Sequence, residues 1–313
     1  MLANLLQRFA STAIVMLLVS VLVFMLLHLA PGDPAAVLAG DNASLEQVAQ
    51  LRASLGLAEP LPTQFVRWLG QVVQGNLGQS IFSSEPVTML IAQRTEPTVS
   101  LALATLAIAV PAALALGIIA AHRVGTLTDR VLMMISVVGF SVPAFVVGYL
   151  LVWIFAVRLG WFPVQGYMPI ADGLGPWLMY LVLPALTLSL TYTALIARIT
   201  RATLLEVLSE DFIRTARAKG LPTLRLLLVH GLRNAGVPIA TVIGIGIALL
   251  IGGVVITETV FNIPGIGRLV VDSISRRDYP VIQGVILVFS GVYVVLNLAI
   301  DLSYTLIDPR IRY

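Results

Sequence analysis

The chain has 313 residues, of which 58% are hydrophobic and 11% are charged. Soluble globular proteins carry about 25% charged residues, so this composition excludes a soluble domain and indicates an integral membrane protein. The chain contains no cysteine, which excludes disulfides, thiol catalysis and cysteine-ligated zinc. Its net charge of +3 comes from basic residues that are spread along the chain, which favours a topological cause over nucleic-acid binding.

Apolar runs of spanning length recur along the chain. A transmembrane helix needs about 20 predominantly apolar residues, and six segments satisfy this requirement: 9–29, 98–121, 131–157, 177–197, 237–257 and 281–307. The first run is long for a signal peptide and lacks a convincing cleavage site after it, so we interpret it as a retained span. The sequence therefore predicts an all-α polytopic membrane protein with six transmembrane helices in one membrane domain, 1–313.

The segment 30–97, between the first two spans, is predicted to form a small helical subdomain. Apolar residues fall at helical spacing in "LEQVAQLRASLGL" after Ser44 and again in "TQFVRWLGQVVQ" from Thr63. Ser44 and Gln47 match the S-x-x-Q capping box that begins many helices. The two patterns predict a helical cap over one face of the membrane domain.

Prolines lie inside the second, third and fourth predicted spans, at Pro111, Pro143 and Pro184. Each lacks the backbone N–H that a helix interior uses, so each is expected to kink or break its helix. Two roles remain open for them: ordinary packing kinks, or a part in a transport pathway.

The loops between the spans differ in charge. The N-terminus, the 122–130 loop, the 198–236 loop and the C-terminus hold 12 of the 19 basic residues against 5 acidic ones, whereas the opposite loops hold 7 basic against 10 acidic. The positive-inside rule places the more basic set in the cytoplasm. Both termini and the 198–236 loop are therefore predicted to be cytoplasmic, and 30–97 is predicted to be extracytoplasmic.

The 198–236 loop carries a short polar segment with helix signals at both ends. Ser209 is placed to cap a helix, acidic residues lie in its first turn and basic residues in its last, and Gly220 suits the left-handed position after the C-terminus. These signals predict a helix of about ten residues, which is too short to span a bilayer. The segment comprises Glu210, Asp211, Phe212, Ile213, Arg214, Thr215, Ala216, Arg217, Ala218, Lys219 and Gly220.

One face of this short helix is predicted to enter a groove in a partner protein. Phe212, Thr215, Ala216 and Lys219 share that face, so an aromatic side chain projects beside two small residues. Such a face suits helix-in-groove recognition. Positive-inside charge alone accounts for the arginines of the segment, but it does not account for its helix caps.

Motifs for catalysis, metal binding and nucleotide binding are missing from the sequence. The only lysine of the chain, Lys219, follows Ala218 and not the glycine of a phosphate-binding loop. The histidines His28, His122 and His230 are too scattered for a metal site, and no serine–histidine arrangement points to proteolysis. We therefore expect no catalytic residue, no metal site and no cofactor in this chain.

Candidate pathway residues lie in the last two predicted spans. The fifth span, "PIATVIGIGIALLIGG", offers Thr241, Gly244, Gly246 and Ile247. Its glycines allow a close approach to a solute, but helix packing explains the same glycines equally well. Asp301 is a carboxylate well inside a predicted span, and it is either a functional group or a structural anchor near the cytoplasmic end.

The polar segment and several other stretches are similar to one protein family. "DFIRTARAKGLP" is similar to the peptide-group form of a cytoplasmic E-A-A-x3-G motif, since Gly220 and Ala216 match while Thr215 and Arg214 replace the first alanine and the glutamate. More specific stretches are "LLHLAPGDPA" at 26–35, "LRASLGLAEPLPTQFVRWLGQVVQGNLGQS" at 51–80, "SVPAFVVGYLL" at 141–151, "ETVFNIPGIGRLVVDSISRRDYPVIQG" at 258–284 and "DLSYTLIDPRIRY" at the C-terminus. With these stretches the chain resembles the B-type inner-membrane permeases of the dipeptide, oligopeptide and nickel ABC importers.

The resemblance implies a type I ABC importer permease fold with six spans, both ends in the cytoplasm, and a helix at 210–219 that docks in an ATPase cleft. The expected partners are a homologous second permease, two ATPase subunits that bind ATP and Mg²⁺, an extracytoplasmic binding protein and the lipid bilayer of the inner membrane, with no nucleic acid. The expected substrate is a short peptide; nickel or another small solute is the alternative. A secondary carrier is a further alternative, but ion coupling calls for ionisable residues near the midplane, and Asp301 lies off centre.

Overall fold

The computed structural model describes residues 2–29, 44–54 and 58–307, together with the single residue Ala36. Nearly all of these residues are helical, and within this part of the chain β-type pairing is limited to one isolated bridge between Gln79 and Pro86. The predicted all-α class is confirmed.

The helices follow one another with short connections. In the first half of the chain they are α1 (Leu2–Leu29), α2 (Leu45–Ser54), α3 (Leu61–Val73), α4 (Val87–His122), α5 (Leu127–Ser141) and α6 (Ala144–Leu151), which continues as a π-helical segment, Val152–Arg158. In the second half they are α7 (Leu174–Ser209), α8 (Asp211–Ala218), α9 (Gly236–Val260), α10 (Ile266–Arg276) and α11 (Tyr279–Ile307). Short helical pieces connect α8 to α9, namely Thr223–Arg225, Leu226–Gly231 and Leu232–Asn234.

Four helices are long and apolar enough to cross a membrane: α4, α7, α9 and the part Tyr279–Asp301 of α11. The bent pair of α5 and α6 adds a fifth span if it counts as one crossing, and α1 contributes a shorter apolar stretch, Ser11–Leu26. By length and composition the described residues thus give four or five spans, against the six predicted. The chain is a multi-pass membrane protein.

The third predicted span is not one continuous helix. α5 ends at Ser141, α6 begins at Ala144, and the two parts are bent by 101°. Val142 between them is extended, with φ −80° and ψ 126°, because the ring of Pro143 disfavours the helical conformation at the preceding residue. Pro111 and Pro184 lie inside α4 and α7 without ending either helix. Of the three prolines, only Pro143 breaks its predicted span.

The described chain divides into two compact units: residues 1–93 with 269–294, and residues 94–268 with 295–313. In the second unit α7 is the central helix, packed against α5, α6 and α9. Of its apolar window 56% is buried, against 22% to 33% in the other three spans. Because so much of α7 is packed against its neighbours, a displacement of α7 also moves the helices around it.

The buried core of the second unit is built from the apolar side chains of α7 and its neighbours. Leu181, Leu188 and Ile196 of α7 join Leu101 of α4 and Leu250 of α9 in one cluster. The three α7 residues are at most 2% exposed. Since the apolar faces of several helices meet in this cluster, α7 fixes the positions of α4 and α9 together.

The connection that precedes α7 is attached to α4 by a polar cluster. Tyr167 Oη donates to Glu96 Oε1 at 3.0 Å, and the backbone N–H of Ile170 donates to the same oxygen at 2.9 Å. Trp177 Nε1 donates to Tyr167 Oη at 3.2 Å. Burial raises the pKa of the Tyr167 phenol, so the hydroxyl keeps its proton and remains a donor to Glu96.

In the first unit, a tight turn at residues 79–86 is held by Asp278, which lies just before α11. Ser80 Oγ donates to Asp278 Oδ2 at 2.5 Å, and the backbone N–H of Ile81 donates to Asp278 Oδ1 at 3.2 Å. These two bonds fix the position of the turn, although its tip is exposed.

In the same unit, α3 is attached to α1 through the ring of Phe24, which lies 5.4 Å from the ring of Phe65.

Both helices predicted in the segment 30–97 are present. The backbone N–H of Ser44 donates to Gln47 Oε1 at 2.9 Å, and the N–H of Gln47 donates to Ser44 Oγ at 3.3 Å, which confirms the predicted capping box of α2. α3 begins after Pro60 and covers the second predicted pattern. The predicted boundaries of one membrane domain (1–313), an extracytoplasmic subdomain (30–97) and a cytoplasmic loop (198–236) remain predictions.

Candidate functional site

The predicted polar helix is present as α8, but it does not begin as predicted. Ser209 is the last residue of α7, and its Oγ donates to the carbonyl oxygen of Glu206 at 2.7 Å. Glu210 is the extended residue at the N-cap, with φ −68° and ψ 150° and no side-chain hydrogen bond. The prediction of Ser209 as the cap is therefore wrong, because α7 remains helical through the fully buried Leu204 up to Ser209.

The C-terminus of α8 matches the prediction. Gly220 has φ +78°, the left-handed conformation that glycine adopts without strain. The backbone N–H of Leu221 donates to the Ala216 carbonyl at 3.3 Å, and that of Gly220 donates to the Arg217 carbonyl at 2.9 Å. These two bonds form a Schellman motif, which fixes the end of the helix.

The two faces of α8 have different environments. Ile213 is fully buried, and the helix packs there against Leu226–Gly231. On the face that bears the other three residues, Phe212 is 44% exposed, Thr215 is exposed, and Ala216, which lies one turn after Ile213, is half-buried. α8 is therefore anchored to its own chain by Ile213, while the predicted partner-binding face is accessible.

The charged side chains of α8 are accessible as well. Arg214 Nη1 lies 3.2 Å from Asp211 Oδ1, but the two side chains are 75% and 95% exposed. An ion pair at that exposure contributes at most about 1 kcal/mol to stability. The remaining charged residues of the segment, Glu210, Arg217 and Lys219, are also exposed, as are Ala218 and Gly220. These charges are free to meet a partner.

A cavity of about 480 Å³ lies beside the C-terminal end of α8. Its wall includes Ala121 and His122 at the end of α4, Leu208 near the end of α7, Arg217 in the last turn of α8, and Leu221 after it. This end of α8 is thus less tightly packed than the end that Ile213 anchors.

An ion pair joins α5 to α7 close to the point where α7 leads into α8. Arg201 Nε lies 2.6 Å from Asp129 Oδ1, and Arg201 Nη2 donates to Asp129 Oδ2 at 2.8 Å. The Asp129 side chain is 5% exposed, and its carboxylate also accepts from the backbone N–H of Gly125 at 2.9 Å. Sequence reasoning missed this pair; the one acidic residue in the basic 122–130 loop was the available signal.

The glycines proposed for a pathway in α9 are in contact with other helices of this chain. A Cβ placed on Gly244 would lie 2.6 Å from Ile300 Cδ1 of α11, and one on Gly246 would lie 3.6 Å from Tyr192 Cδ1 of α7. Thr241 and Ile247 are half-buried. Gly244 therefore allows a close approach of α11, whereas a side chain at Gly246 would make only an ordinary van der Waals contact with Tyr192. Thr241 and Ile247 keep part of their surface accessible.

A different face of α9 is exposed along most of its length. Its members recur at helical spacing and are Ile245, Leu249, Gly252, Ile256 and Thr259. Apart from its chain neighbours and the adjacent backbone of α9, no atom of the described residues lies within 4 Å of a Cβ built on Gly252. We call these five residues the α9 stripe. Sequence reasoning missed the stripe because α9 has no polar residue between Thr241 and Thr257 to show which of its faces is covered.

Two carboxylates of the long helices differ in their surroundings. Asp301 is half-buried in α11, one residue after Ile300, so it lies next to the contact with Gly244. Glu258 of α9 is fully buried. It lies one residue beyond the predicted span 237–257, so the sequence did not mark it as a carboxylate inside a span. Among the described residues, no group of three or more His, Cys, Asp or Glu side chains is placed to hold a metal ion.

Two family descriptions match this chain and together cover most of it. "Binding-protein-dependent transport system inner membrane component" matches residues 113–313, and the N-terminal membrane component of binding-protein-dependent transport systems matches residues 1–102.

Curated relatives match over the full length of the chain. A probable peptide ABC transporter permease of Sinorhizobium fredii is 56% identical over 308 residues, which is 98% of each chain. A putative peptide transport system permease of Brucella abortus is 44% identical, and a glutathione transport system permease of Escherichia coli is 45% identical, each over all of both chains.

One solved structure has a similar fold. The MetNI methionine ABC transporter, solved in inward-facing conformations, has a TM-score of 0.56 at 18% identity, covering 72% of this chain and 99% of that chain. At that identity the similarity shows the fold alone, and it confirms the predicted ABC importer permease fold.

Proposed function

This chain belongs to the inner membrane components of binding-protein-dependent transport systems, and from that premise we propose that it forms half of the pathway of an ATP-driven importer for short peptides. The relatives from S. fredii and B. abortus are named for peptide transport, and the E. coli relative is named for glutathione, itself a tripeptide. Their full-length similarity supports a solute of the same class here.

We propose a division of labour between this chain and its partners. Two ATPase subunits bind ATP and Mg²⁺, a homologous second permease completes the pathway, and an extracytoplasmic binding protein delivers the peptide. The sequence supports this division because its only lysine, Lys219, is misplaced for a phosphate-binding loop. The role of this chain is to change conformation, which requires no chemistry of its own.

The exposed face of α8 is the observation that carries the proposal. It combines an aromatic residue, Phe212, with the smaller Thr215 and Ala216 on a short helix whose other face is anchored by Ile213. A rigid, capped helix of this kind suits a groove in one of the two ATPase subunits. Because α8 follows α7 after a single residue, movement of the ATPase is passed directly to the central helix of the second unit.

The transmission from α8 to the pathway follows the contacts of α7. The Asp129–Arg201 ion pair attaches α7 to α5, and apolar packing attaches α7 to α9. A rigid-body displacement of α7 is therefore shared by α5 and α9, as alternating access by rocking of helix groups requires. In this mechanism α8 converts ATPase closure into rotation of the helices that line the pathway.

We place the pathway contacts on α9 and α11. Thr241, Ile247 and Asp301 are half-buried and remain candidates for contact with the peptide, whereas Gly244 acts by admitting Ile300 and Gly246 faces Tyr192. The α9 stripe is the face of α9 that the described part of its own chain leaves exposed. We assign it to the pathway shared with the second permease, because a pathway built from two permeases needs an uncovered face on each.

The experiment that tests the proposal replaces Ala216 in the complete transporter. Ala216→Glu adds bulk and an unpaired charge to the face that enters the groove, and such changes weaken a close-packed interface by about tenfold or more. The variant is expected to insert in the membrane and to pair with the second permease, but to lose ATPase subunits on purification. Arg214→Ala, at an exposed position outside that face, is the matched control and is expected to retain them.

The readouts are co-purification of the ATPase subunits and uptake of a labelled tripeptide into proteoliposomes that contain the binding protein. Normal values of both for Ala216→Glu would show that coupling does not use this face of α8. Uptake of a small non-peptide solute by the wild-type transporter, without uptake of peptides, would contradict the peptide assignment while leaving the role of α8 intact.

A further inference from the structure

Glu258 is a fully buried carboxylate near the end of α9 that no part of the proposed mechanism has used so far. Taking a carboxylate out of water costs several kcal/mol unless hydrogen bonds replace its hydration. Its position therefore calls for partners that satisfy both of its oxygens, and the structure supplies them from two other elements.

The partners come from α4 and from the first turn of α10. Thr98 Oγ1 of α4 donates to Glu258 Oε1 at 2.5 Å, and the backbone N–H of Arg268 donates to Glu258 Oε2 at 2.9 Å. The Thr98 hydroxyl also accepts from the backbone N–H of Ile266 at 2.8 Å. Two of the four N–H groups that a helix start leaves unpaired are thus satisfied by Glu258 and Thr98.

Two glycines make this arrangement possible. A Cβ on Gly265 would overlap the Glu258 carboxylate, and a Cβ on Gly267 would lie 2.6 Å from Val255 Cα of α9. Because the obstacle at Gly267 is a backbone atom, a side chain there has no room to turn away. The connection between α9 and α10 is therefore shaped around the carboxylate, and the negative charge lies at the positive end of the α10 dipole.

We propose that Glu258 is a positioning residue of the transport cycle, whose carboxylate binds the end of α9, the adjoining part of α4 and the start of α10 into one rigid body. Together with Thr98 it forms what we call the Glu258 latch. When α7 displaces α9, the latch makes the other two elements move with it. The inference rests on the proposed function, since it assigns to the latch the transmission of the same movement.

The test uses variants that change the latch with little change in shape. Thr98→Val removes the bridging hydroxyl, Glu258→Gln removes the charge, and Thr98→Ser keeps the hydroxyl and is the matched control. The complete transporter is reconstituted with its binding protein and a defined mixture of dipeptides and tripeptides. The first readout is the ratio of ATP hydrolysis with the loaded binding protein to hydrolysis without it.

A second readout measures the geometry without reference to transport. The chain has no cysteine, so Val99→Cys and Thr259→Cys introduce a single pair of thiols for spin labels, at exposed positions next to Thr98 and Glu258. Thr98→Val and Glu258→Gln are expected to broaden the distribution of label distances, whereas Thr98→Ser is expected to keep it narrow. The stimulation of hydrolysis is expected to fall by about tenfold in the first two variants, the factor for a lost hydrogen bond to a charged group.

A lower melting temperature with unchanged stimulation and an unchanged distance distribution would overturn the latch and leave Glu258 a purely structural group. A Thr98→Val transporter that fails to assemble where Thr98→Ser assembles would also count against it, because a positioning role leaves the fold intact. If peptides fail to stimulate the wild-type transporter, the proposed function fails, and the distance distributions still decide the latch.

Discussion

The Arg201 guanidinium meets the Asp129 carboxylate in a bidentate arrangement, with contacts of 2.6 Å and 2.8 Å. The Asp129 side chain is 5% exposed and that of Arg201 is 25% exposed. Removing Asp129 leaves the mostly buried Arg201 charge without its partner, so the loss of stability is expected to exceed that of breaking an exposed pair. Asp129→Ala is therefore expected to lower the melting temperature of the purified permease and to reduce coupled transport.

The matched control for this prediction is the exposed pair Arg214 and Asp211. Asp211→Ala is expected to change the melting temperature little, since exposed pairs contribute at most about 1 kcal/mol. The exchanged double variant Asp129→Arg with Arg201→Asp is expected to recover part of the stability lost in Asp129→Ala. No recovery, together with a small effect of Asp129→Ala alone, would mean that the pair does not hold α5 to α7.

Local signals were readable from the sequence at this scale, and distant pairings were not. The capping box of Ser44 and Gln47 and the left-handed Gly220 depend on residues within one turn of each other, and both are present. Ser209 has the right chemistry for a cap, but tertiary packing of α7 carries the helix past it. Asp129 and Arg201 are 72 positions apart, so no local pattern joins them.

At the scale of elements, α9 is predicted to present one accessible face inside the assembled transporter. Single cysteines at Leu249, Gly252 and Ile256 of the α9 stripe are expected to react with a small water-soluble thiol reagent, because they line the shared pathway. Leu250→Cys and Val254→Cys are the controls on the same helix, and they are expected to stay unreactive because both residues are buried. The measurement is the labelled fraction of each variant in proteoliposomes.

Equal protection of all five positions would contradict the assignment, since a face covered by lipid or by tight packing excludes a water-soluble reagent. A change in the labelling of Gly252→Cys or Ile256→Cys when ATP is added would support alternating access directly. The controls show whether the reagent reaches α9 through local unfolding instead of through a pathway.

The positions of the long helices were predictable from the sequence, but their lengths and breaks were less so. The hydropathy pattern located α4, α7, α9 and α11, yet α4 and α7 each extend to 36 residues, well beyond their apolar runs. Hydropathy marks the part of a helix that lies in the hydrocarbon, and helices continue past it wherever the chain still favours helix. The break at Pro143 and the continuity at Pro111 also show that the presence of a proline does not by itself predict where a helix ends.

The whole molecule has an asymmetric distribution of charge across its spans, with 12 of the 19 basic residues on the side that carries α8. The positive-inside rule places that side in the cytoplasm, where ATP is present, so the orientation and the role of α8 require each other. Two exposed residues lie on opposite sides in this arrangement: Ser83, in the turn held by Asp278, and Thr223, which follows α8.

Because the chain has no cysteine, each of these positions can report its side of the membrane by itself. Ser83→Cys is expected to react with a membrane-impermeant maleimide in intact cells, and Thr223→Cys is expected to react only after the cells are permeabilised. Both side chains are exposed, so a lack of reaction reflects the side of the membrane and not burial. Labelling of Thr223→Cys from outside in sealed cells would reverse the orientation, and it would place α8 where no ATP-driven partner can reach it.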